Sequence, residues 1–493
     1  MLKYVSTRGH EERITSSAAI LRGIAPDGGL YVPEEFPEKI ELGKLLEMDY
    51  ARLAYSVMKP FMPDFTEDEL LGCARAAYGD KFDDPLIAPL VSAADVNFLE
   101  LFHGPTLAFK DMALSILPRF MTVSAGKNGV SKKIIILVST SGDTGKAALE
   151  GFAGVDGTAA LVMYPVGKVS RVQELQMTTT EGDNAFVLGV EGNFDDCQTI
   201  MKRALTDPGV LKTLEERGAT FSSANSINIG RLIPQTAYYF YAYALMVKKG
   251  ALKLGAEVNF TVPTGNFGNI LAGYYAKKMG LPVKKLICAS NENKVLSDFF
   301  NSRTYDKNRP LIMTASPSMD ILVSSNLERL LFHVSKDAGR VKALMDSLAV
   351  TGVYDFDASG HGFEGVCATQ EEMLRAIGDV FAKSGYVMDT HTAVAYASYE
   401  KYASAAGDKT PNVILSTASP FKFAFDVLKG LGEDVEGSGA DCGWPEKLAA
   451  RIGVAVPPRI SNLETRTVRH TGRRKKEDAL DYIKEFINII QTR

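Results

Sequence analysis

Hydrophobic and polar positions along this chain follow two patterns, and the change falls near residue 95. Before it, apolar residues recur at helical spacing over 50–58 and 68–78, which predicts amphipathic helices. Residues 25–33, Ala25-Pro26-Asp27-Gly28-Gly29-Leu30-Tyr31-Val32-Pro33, form a turn cluster leading into a short extended piece. From Asn97 onward, short apolar runs alternate with Gly-rich turns and helical stretches. The predicted strands are 97–102, 133–138, 158–164, 185–190, 258–262, 286–289 and 413–415. The run 133–138 is almost continuously apolar, as a parallel strand covered on both faces requires. Residues 112–117, 146–152 and 194–205 and the stretch ending at Met279 predict helices, the third with Asp195 and Asp196 in its first turn. This alternation predicts an α/β fold with a largely parallel sheet. In such sheets ligands collect beyond the carboxyl ends of the strands, where the Gly-rich turns lie.

Four of these turns carry candidate chemistry. His103-Gly104-Pro105-Thr106-Leu107-Ala108-Phe109-Lys110-Asp111 delivers Lys110 between a strand and a helix, in mostly apolar company. Such surroundings disfavour the ammonium and favour a nucleophilic or Schiff-base-forming amine. A lysine snorkelling from a helix start is the plain structural alternative. Gly265-Asn266-Phe267-Gly268-Asn269 combines two glycines with a following helix N-terminus, a cup of backbone N–H groups suited to a phosphate. Ser139-Thr140-Ser141-Gly142-Asp143-Thr144-Gly145 is dense in hydroxyls and suits a carboxylate, or simply caps a helix. It is not a Walker A loop, because Ala147 replaces the required Ser/Thr and Thr140 the first Gly. Ser223-Ala224-Asn225-Ser226-Ile227-Asn228-Ile229-Gly230-Arg231 ends in an arginine able to clamp an oxyanion or to pair with a surface carboxylate.

Length and charge narrow the setting. A chain of 493 residues exceeds one small core. It divides into an N-terminal unit 1–95, a core 96–435 with a smaller domain at 117–235, and an appendage 436–493 after the turn Gly437-Ser438-Gly439. Residues 466–476 are rich in arginine and lysine and are expected to be a solvated lead-in to an amphipathic helix over 479–490. A net charge of -4 gives no reason to expect nucleic acid or a membrane surface as partner. No run approaches the ~18 apolar residues of a membrane span. The five cysteines are odd in number, far apart and without metal-ligand spacing, so no metal is expected and a cytoplasmic setting is.

The lysine segment, the 139–145 turn and the 265–269 cup together resemble pyridoxal-phosphate enzymes of the tryptophan-synthase-β fold (fold type II), and more narrowly the threonine synthase family in its long form. The resemblance extends to Ser6-Thr7-Arg8-Gly9, residues 25–33 and 223–228, Pro317-Ser318-Met319-Asp320-Ile321, His391-Thr392-Ala393-Val394 and Thr417-Ala418-Ser419-Pro420. It implies two parallel-sheet-containing domains with the active site between them, a helical N-terminal unit and a C-terminal helical appendage. It implies that Lys110 carries pyridoxal 5'-phosphate, that Gly265, Asn266, Phe267, Gly268 and Asn269 hold its phosphate, and that Thr417 places a hydroxyl at the pyridine nitrogen. A hydroxyl there, unlike an aspartate, permits a neutral ring. Ser419 stands where the family usually has histidine, and Phe421 where it has a small residue.

The implied small-molecule substrate is O-phospho-L-homoserine. With water it gives L-threonine and phosphate by β,γ-replacement, the last step of threonine biosynthesis, in a monomer or homodimer. Thr140, Ser141, Asp143 and Thr144 are assigned to the substrate carboxylate, and Asn225, Ser226, Asn228 and Arg231 to its phosphate. Three alternatives share the lysine and the cup: a dehydratase, a phospho-lyase, and a catalytically idle cofactor-binding paralogue.

Overall fold

Two parallel sheets form the frame of the computed structural model, which describes residues 1–140, 142–169, 171–437 and 443–490. The larger sheet has six strands in the order Phe363–Cys367, Val283–Ser290, Val258–Pro263, Asn412–Ser416, Val96–Glu100 and Leu90–Ala93. All neighbours run parallel except the last pair, where Leu90–Ala93 returns antiparallel at the edge. The smaller sheet runs Arg473–Lys475, Ala185–Glu191, Thr158–Pro165, Lys133–Ser139 and Ala219–Ser222, all parallel. Its central strand Thr158–Pro165 is buried at every position, which explains its lack of polar alternation.

The 20-residue helix Ile229–Lys248 is the central helix of the molecule. It is buried along nearly its whole length and on all sides, as a helix apolar all round must be. It packs on the helices Gly268–Lys278, Tyr50–Met58 and Asp111–Leu114, and so ties the N-terminal helices, the lysine turn and the 265–269 turn to one core. The N-terminal unit holds the expected helices Tyr50–Met58 and Glu67–Ala77, and Tyr31–Pro33 pairs antiparallel with Tyr4–Ser6.

The structure departs from expectation in two places. The helix predicted over 112–117 is two helices, Asp111–Leu114 and Leu117–Lys127. Pro118 cannot donate to the carbonyl of Leu114 and its ring crowds that oxygen, so the first helix stops there. The carbonyl packs instead against Gly151, where a Cβ would lie 2.1 Å from it. Second, the basic C-terminal stretch is more than a solvated lead-in. Arg473–Lys475 adds an edge strand beside Ala185–Glu191, and the stretch pairs with acidic groups around the smaller sheet: Arg469 with Glu181, Arg473 with Glu174, Lys476 with Asp196. The helix Ala479–Ile489 then buries Ala479, Ile483, Phe486 and Ile487 against that sheet's outer face. The turn Gly437-Ser438-Gly439 lies partly outside the described residues. No helix among those described is long and apolar enough to cross a membrane.

Candidate active site

Lys110 is positioned by the turn before it. Asp111 is buried, and its carboxylate accepts from the Thr106 N–H and the Thr106 hydroxyl, both at 2.7 Å. Leu107 takes φ 57°, a left-handed backbone uncommon for a side chain of its size. Ala108 then bridges Ala418, and the Phe109 N–H donates to the Thr417 carbonyl at 2.8 Å. The lysine is thereby fixed to the carboxyl end of the strand Asn412–Ser416. Burial pushes the Asp111 carboxyl up to about 6, against the pull of the Thr106 hydrogen bonds.

His103 opens the same turn, with Nδ1 2.6 Å from Asp83 and Nε2 2.9 Å from Glu100. Burial opposes its charge, but hydrogen bonds to Asp83 and Glu100 prevail and raise its pKa to about 9. Because the folded value exceeds the unfolded one, the stabilisation is complete below about pH 6.5 and is lost as pH rises through about 9. With Asp83 42% exposed to solvent screening, the stabilisation amounts to about 1–2 kcal/mol. His103→Gln is therefore expected to lower Tm by about 1–2 °C at about pH 6 and to leave it near wild type at about pH 10, read by thermal melts across that range.

The Lys110 amine lies 3.1 Å from Ser318 Oγ and 3.4 Å from Asp143 Oδ2, on a side chain 11% exposed. Asp143 opens the helix Asp143–Phe152 after the smaller-sheet strand Lys133–Ser139, so this contact spans the two sheets. The other Asp143 oxygen is 2.7 Å from Lys422 Nζ and accepts from Gln173 at 3.2 Å. Lys422 is almost wholly buried and also donates to the Thr106 carbonyl at 2.9 Å. Burial works against the Asp143 carboxylate, yet Lys422 and Lys110 hold it well below the usual carboxylate range. Burial likewise pushes the Lys110 amine below its ordinary value; Asp143 opposes this, and the charges of Lys422 and Arg231 add to it.

Arg231 stands in the first turn of the central helix, 5% exposed. One Nη donates to the Ala224 carbonyl at 2.9 Å. Among the described residues its Nε has no acceptor and no carboxylate lies within ion-pair distance. Burial alone pushes the guanidinium down to about 10. A buried cation without a counter-ion is costly, and an anionic ligand would relieve that cost.

The other expected residues divide by what their side chains do. Asn228 is fully buried; its amide donates to the carbonyls of Ile20 and Ser223 and its oxygen accepts from the Gly230 N–H. It caps the central helix and has no group left for a substrate phosphate, which corrects the expectation that it binds one. Thr140 Oγ1 accepts from the N–H groups of Gly142 and Gly145, so its oxygen shapes the turn and leaves the hydroxyl proton for a ligand. Asp143, ion-paired to two lysines, cannot itself receive a carboxylate; it sets the charge of the site instead. Ser141 lies outside the described residues. Thr144 is half-buried at the helix start, and Ser226 Oγ is 3.5 Å from Ser325 Oγ. The Asn225 N–H donates to Ser223 Oγ and its carbonyl accepts from the Asn228 N–H.

In the cup, Phe267 takes φ 62° and turns its ring into the core, stacked on Phe300 with centroids 5.9 Å apart. Asn269 accepts at Oδ1 from Tyr238 and Tyr239. Those contacts commit the Phe267 ring and the Asn269 oxygen to the core and leave the cup its backbone N–H groups and the Asn269 amide nitrogen. The first N–H groups of a helix have no intrahelical partner. Those of Gly268 and Asn269 have no other acceptor among the described residues, and the buried Asn269 Nδ2 has none either. The Thr417 hydroxyl, buried beside the lysine turn, is also uncommitted among the described residues. These open donors, the hydroxyl and the Lys110 amine fit pyridoxal phosphate.

Gly265 closes the arrangement: a Cβ there would lie 2.4 Å from the Ser318 carbonyl oxygen. Gly265→Ala is expected to displace the cup and the Ser318 turn together. It should weaken cofactor binding about 10-fold or more and cost about 1–3 kcal/mol of stability, read by cofactor titration and melting.

Lys422, Ser318, His391 and Asp389 belong to this site and were not assigned roles by sequence reasoning. Ser318 and His391 lie in segments that the family resemblance covers, and Lys422 lies just past one of them.

Comparison with known proteins agrees with this geometry. Three family models match: Threonine synthase N terminus over residues 3–78, Pyridoxal-phosphate dependent enzyme over 93–418, and Threonine synthase, C-terminal over 392–487. Threonine synthase of Pseudomonas aeruginosa is 40% identical over 446 residues, 88% of this chain and 91% of that protein. Threonine synthase-like 1 of Homo sapiens is 39% identical over 84% of this chain but only 58% of its own length. The crystal structure of pyridoxal-phosphate-bound threonine synthase from Brucella melitensis superimposes with a TM-score of 0.87 at 36% identity, covering 100% of both chains. On its lysine turn, its glycine-rich 265–269 turn and matches along almost its whole length, the chain belongs to the threonine synthase family of pyridoxal-phosphate-dependent enzymes.

Proposed function

We propose that this chain is a threonine synthase that converts O-phospho-L-homoserine and water to L-threonine and phosphate, with pyridoxal phosphate held at Lys110. One observation carries the choice among reactions of the fold: Arg231, a buried guanidinium without a counter-ion among the described residues, within electrostatic reach of Lys110. A dehydratase of serine or threonine has one phosphate to hold, that of its cofactor. An enzyme acting on phosphohomoserine has two, and here a backbone cup and a separate buried arginine provide for both.

When bound, pyridoxal phosphate supplies an electron sink for charge developing on the substrate carbon chain. Gly265 to Asn269 would hold its phosphate, and the Thr417 hydroxyl would serve its ring nitrogen. The chain's own residues do the rest. Lys110 Nζ takes the Cα proton as general base, a task helped by the burial that disfavours its ammonium form. Asp143 and Ser318 receive the amine when it is free, at the contacts described above. The fork of Arg231, with Ser226 and Asn225, grips the substrate phosphate. The hydroxyls of Thr140 and Thr144 and the N–H groups of their turn take the substrate carboxylate. In the net change the Cγ–O bond to phosphate breaks, Cβ gives up one proton and takes the hydroxyl of water, Cγ gains a proton to become the methyl group, and the remaining proton of water leaves with the phosphate. The protein acts in the cytoplasm as a monomer or homodimer, on a small molecule and without nucleic acid.

The cofactor-loaded protein is expected to form threonine from O-phospho-L-homoserine and none from L-homoserine, measured by amino-acid analysis. Equal conversion of both compounds would remove the second phosphate site from the account.

A further inference from the structure

Behind Ser318 lies a buried pair that the reaction as described does not use. Asp389 is 0% and His391 3% exposed. His391 Nδ1 is 2.7 Å from Asp389 Oδ2, and His391 Nε2 is 3.2 Å from the backbone nitrogen of Ser318. A backbone N–H only donates, so Nε2 must present its lone pair; the proton then sits on Nδ1, facing the carboxylate. Asp389 is itself fixed by the N–H groups of His391 and Thr392 at the start of the helix Thr390–Ala406. The imidazole edge rests on Phe423, one residue from Lys422, with centroids 4.8 Å apart. Ser318 is thus held on both sides of its backbone, by His391 at its N–H and by close packing against Gly265 at its carbonyl. Its hydroxyl, aimed by that backbone, contacts Lys110 Nζ at 3.1 Å.

We propose that Asp389 and His391 are positioning residues for catalysis: they lock one imidazole tautomer, which seats the Ser318 turn and so aims the Ser318 hydroxyl at the Lys110 amine. Ser318 touches the reacting amine; the other two act through it. The inference rests on the threonine synthase reading, and wild-type threonine formation tests that reading separately. Its logic follows that of a carboxylate holding an imidazole in one tautomer, where an amide of the same shape loses the effect.

The test compares His391→Leu, His391→Gln and Asp389→Asn in the cofactor-loaded protein. His391→Leu removes the acceptor and is expected to lower kcat about 10-fold or more, with KM for O-phospho-L-homoserine and cofactor content near wild type. His391→Gln returns an oxygen near the Nε2 position and is expected to recover most of kcat. Asp389→Asn keeps the cap acceptor and the shape but frees the tautomer, and is expected to lower kcat as His391→Leu does. Combined with Ser318→Ala, His391→Leu is expected to add little further loss, since both act through one hydroxyl. Equal losses in His391→Leu and His391→Gln, a kcat for His391→Leu within twofold of wild type, or additive losses with Ser318→Ala would each overturn the proposal. Thermal melts identify a variant that has simply failed to fold, and the remaining comparisons then decide.

Discussion

Lys110→Ala is expected to abolish threonine formation, lowering kcat by about 10³-fold or more, and to remove the absorbance change that substrate produces in the loaded protein. Two roles are lost at once, the anchoring amine and the base that takes the Cα proton. The surrounding structure predicts that little else changes. The turn is held by Asp111 on Thr106 and by the Phe109 N–H on Thr417, none of which needs the lysine side chain. Removing a cation from a site that also holds Lys422 and Arg231 leaves Asp143 with its closer partner, Lys422 at 2.7 Å. The variant should therefore fold, melt near wild type and still bind the cofactor phosphate at the backbone cup. Threonine formation within 10-fold of wild type would remove Lys110 from the chemistry.

Arg231→Lys should act on substrate binding rather than on cofactor. It preserves one positive charge but replaces a planar fork of donors with a single ammonium point, so a tetrahedral oxyanion loses its paired contacts. A lost charged hydrogen bond costs about 1.5–3 kcal/mol, which corresponds to a rise in KM for O-phospho-L-homoserine of about 10- to 100-fold. The absorbance and affinity of the cofactor should hold, because its phosphate is assigned to the 265–269 cup and not to Arg231. Lysine also cannot reproduce the contact from Nη to the Ala224 carbonyl while reaching an anion, so the 223–231 loop loosens as well. An unchanged KM would assign the uncompensated guanidinium to another anion.

Much of the fold was legible because its signals are local. Parallel strands covered on both faces leave continuous apolar runs, and Lys133–Ser139 and Thr158–Pro165 were each visible as such. Lys110 and the Gly265 to Asn269 cup were legible for a related reason, since each lies on one turn between a strand and a helix. The charge environment was not. Ser318 meets Lys110 from 208 residues away, and the acceptor for its N–H comes from His391, a further 73 residues on. Lys422 is an unremarkable residue in sequence, and only the folded chain places it on Asp143.

Asn228 shows the opposite error. Its position just before an apolar helix is the ordinary signal of an N-cap, and that local role outweighed the distal one assigned to it. Asp143 was grouped with carboxylate-binding hydroxyls because it shares their loop; its charge, and the two lysines that answer it, give it a different task. The basic segment 466–476 likewise has its partners in acidic residues around the smaller sheet that no local pattern connects to it.

The most direct test of the central claim is to follow threonine, phosphate and 2-oxobutyrate together as the cofactor-loaded protein consumes O-phospho-L-homoserine. Replacement at two adjacent carbons predicts threonine and phosphate in equal amounts, with no 2-oxobutyrate. Phosphate released with 2-oxobutyrate in place of threonine would contradict it and mark the protein as an eliminating enzyme built on the same fold.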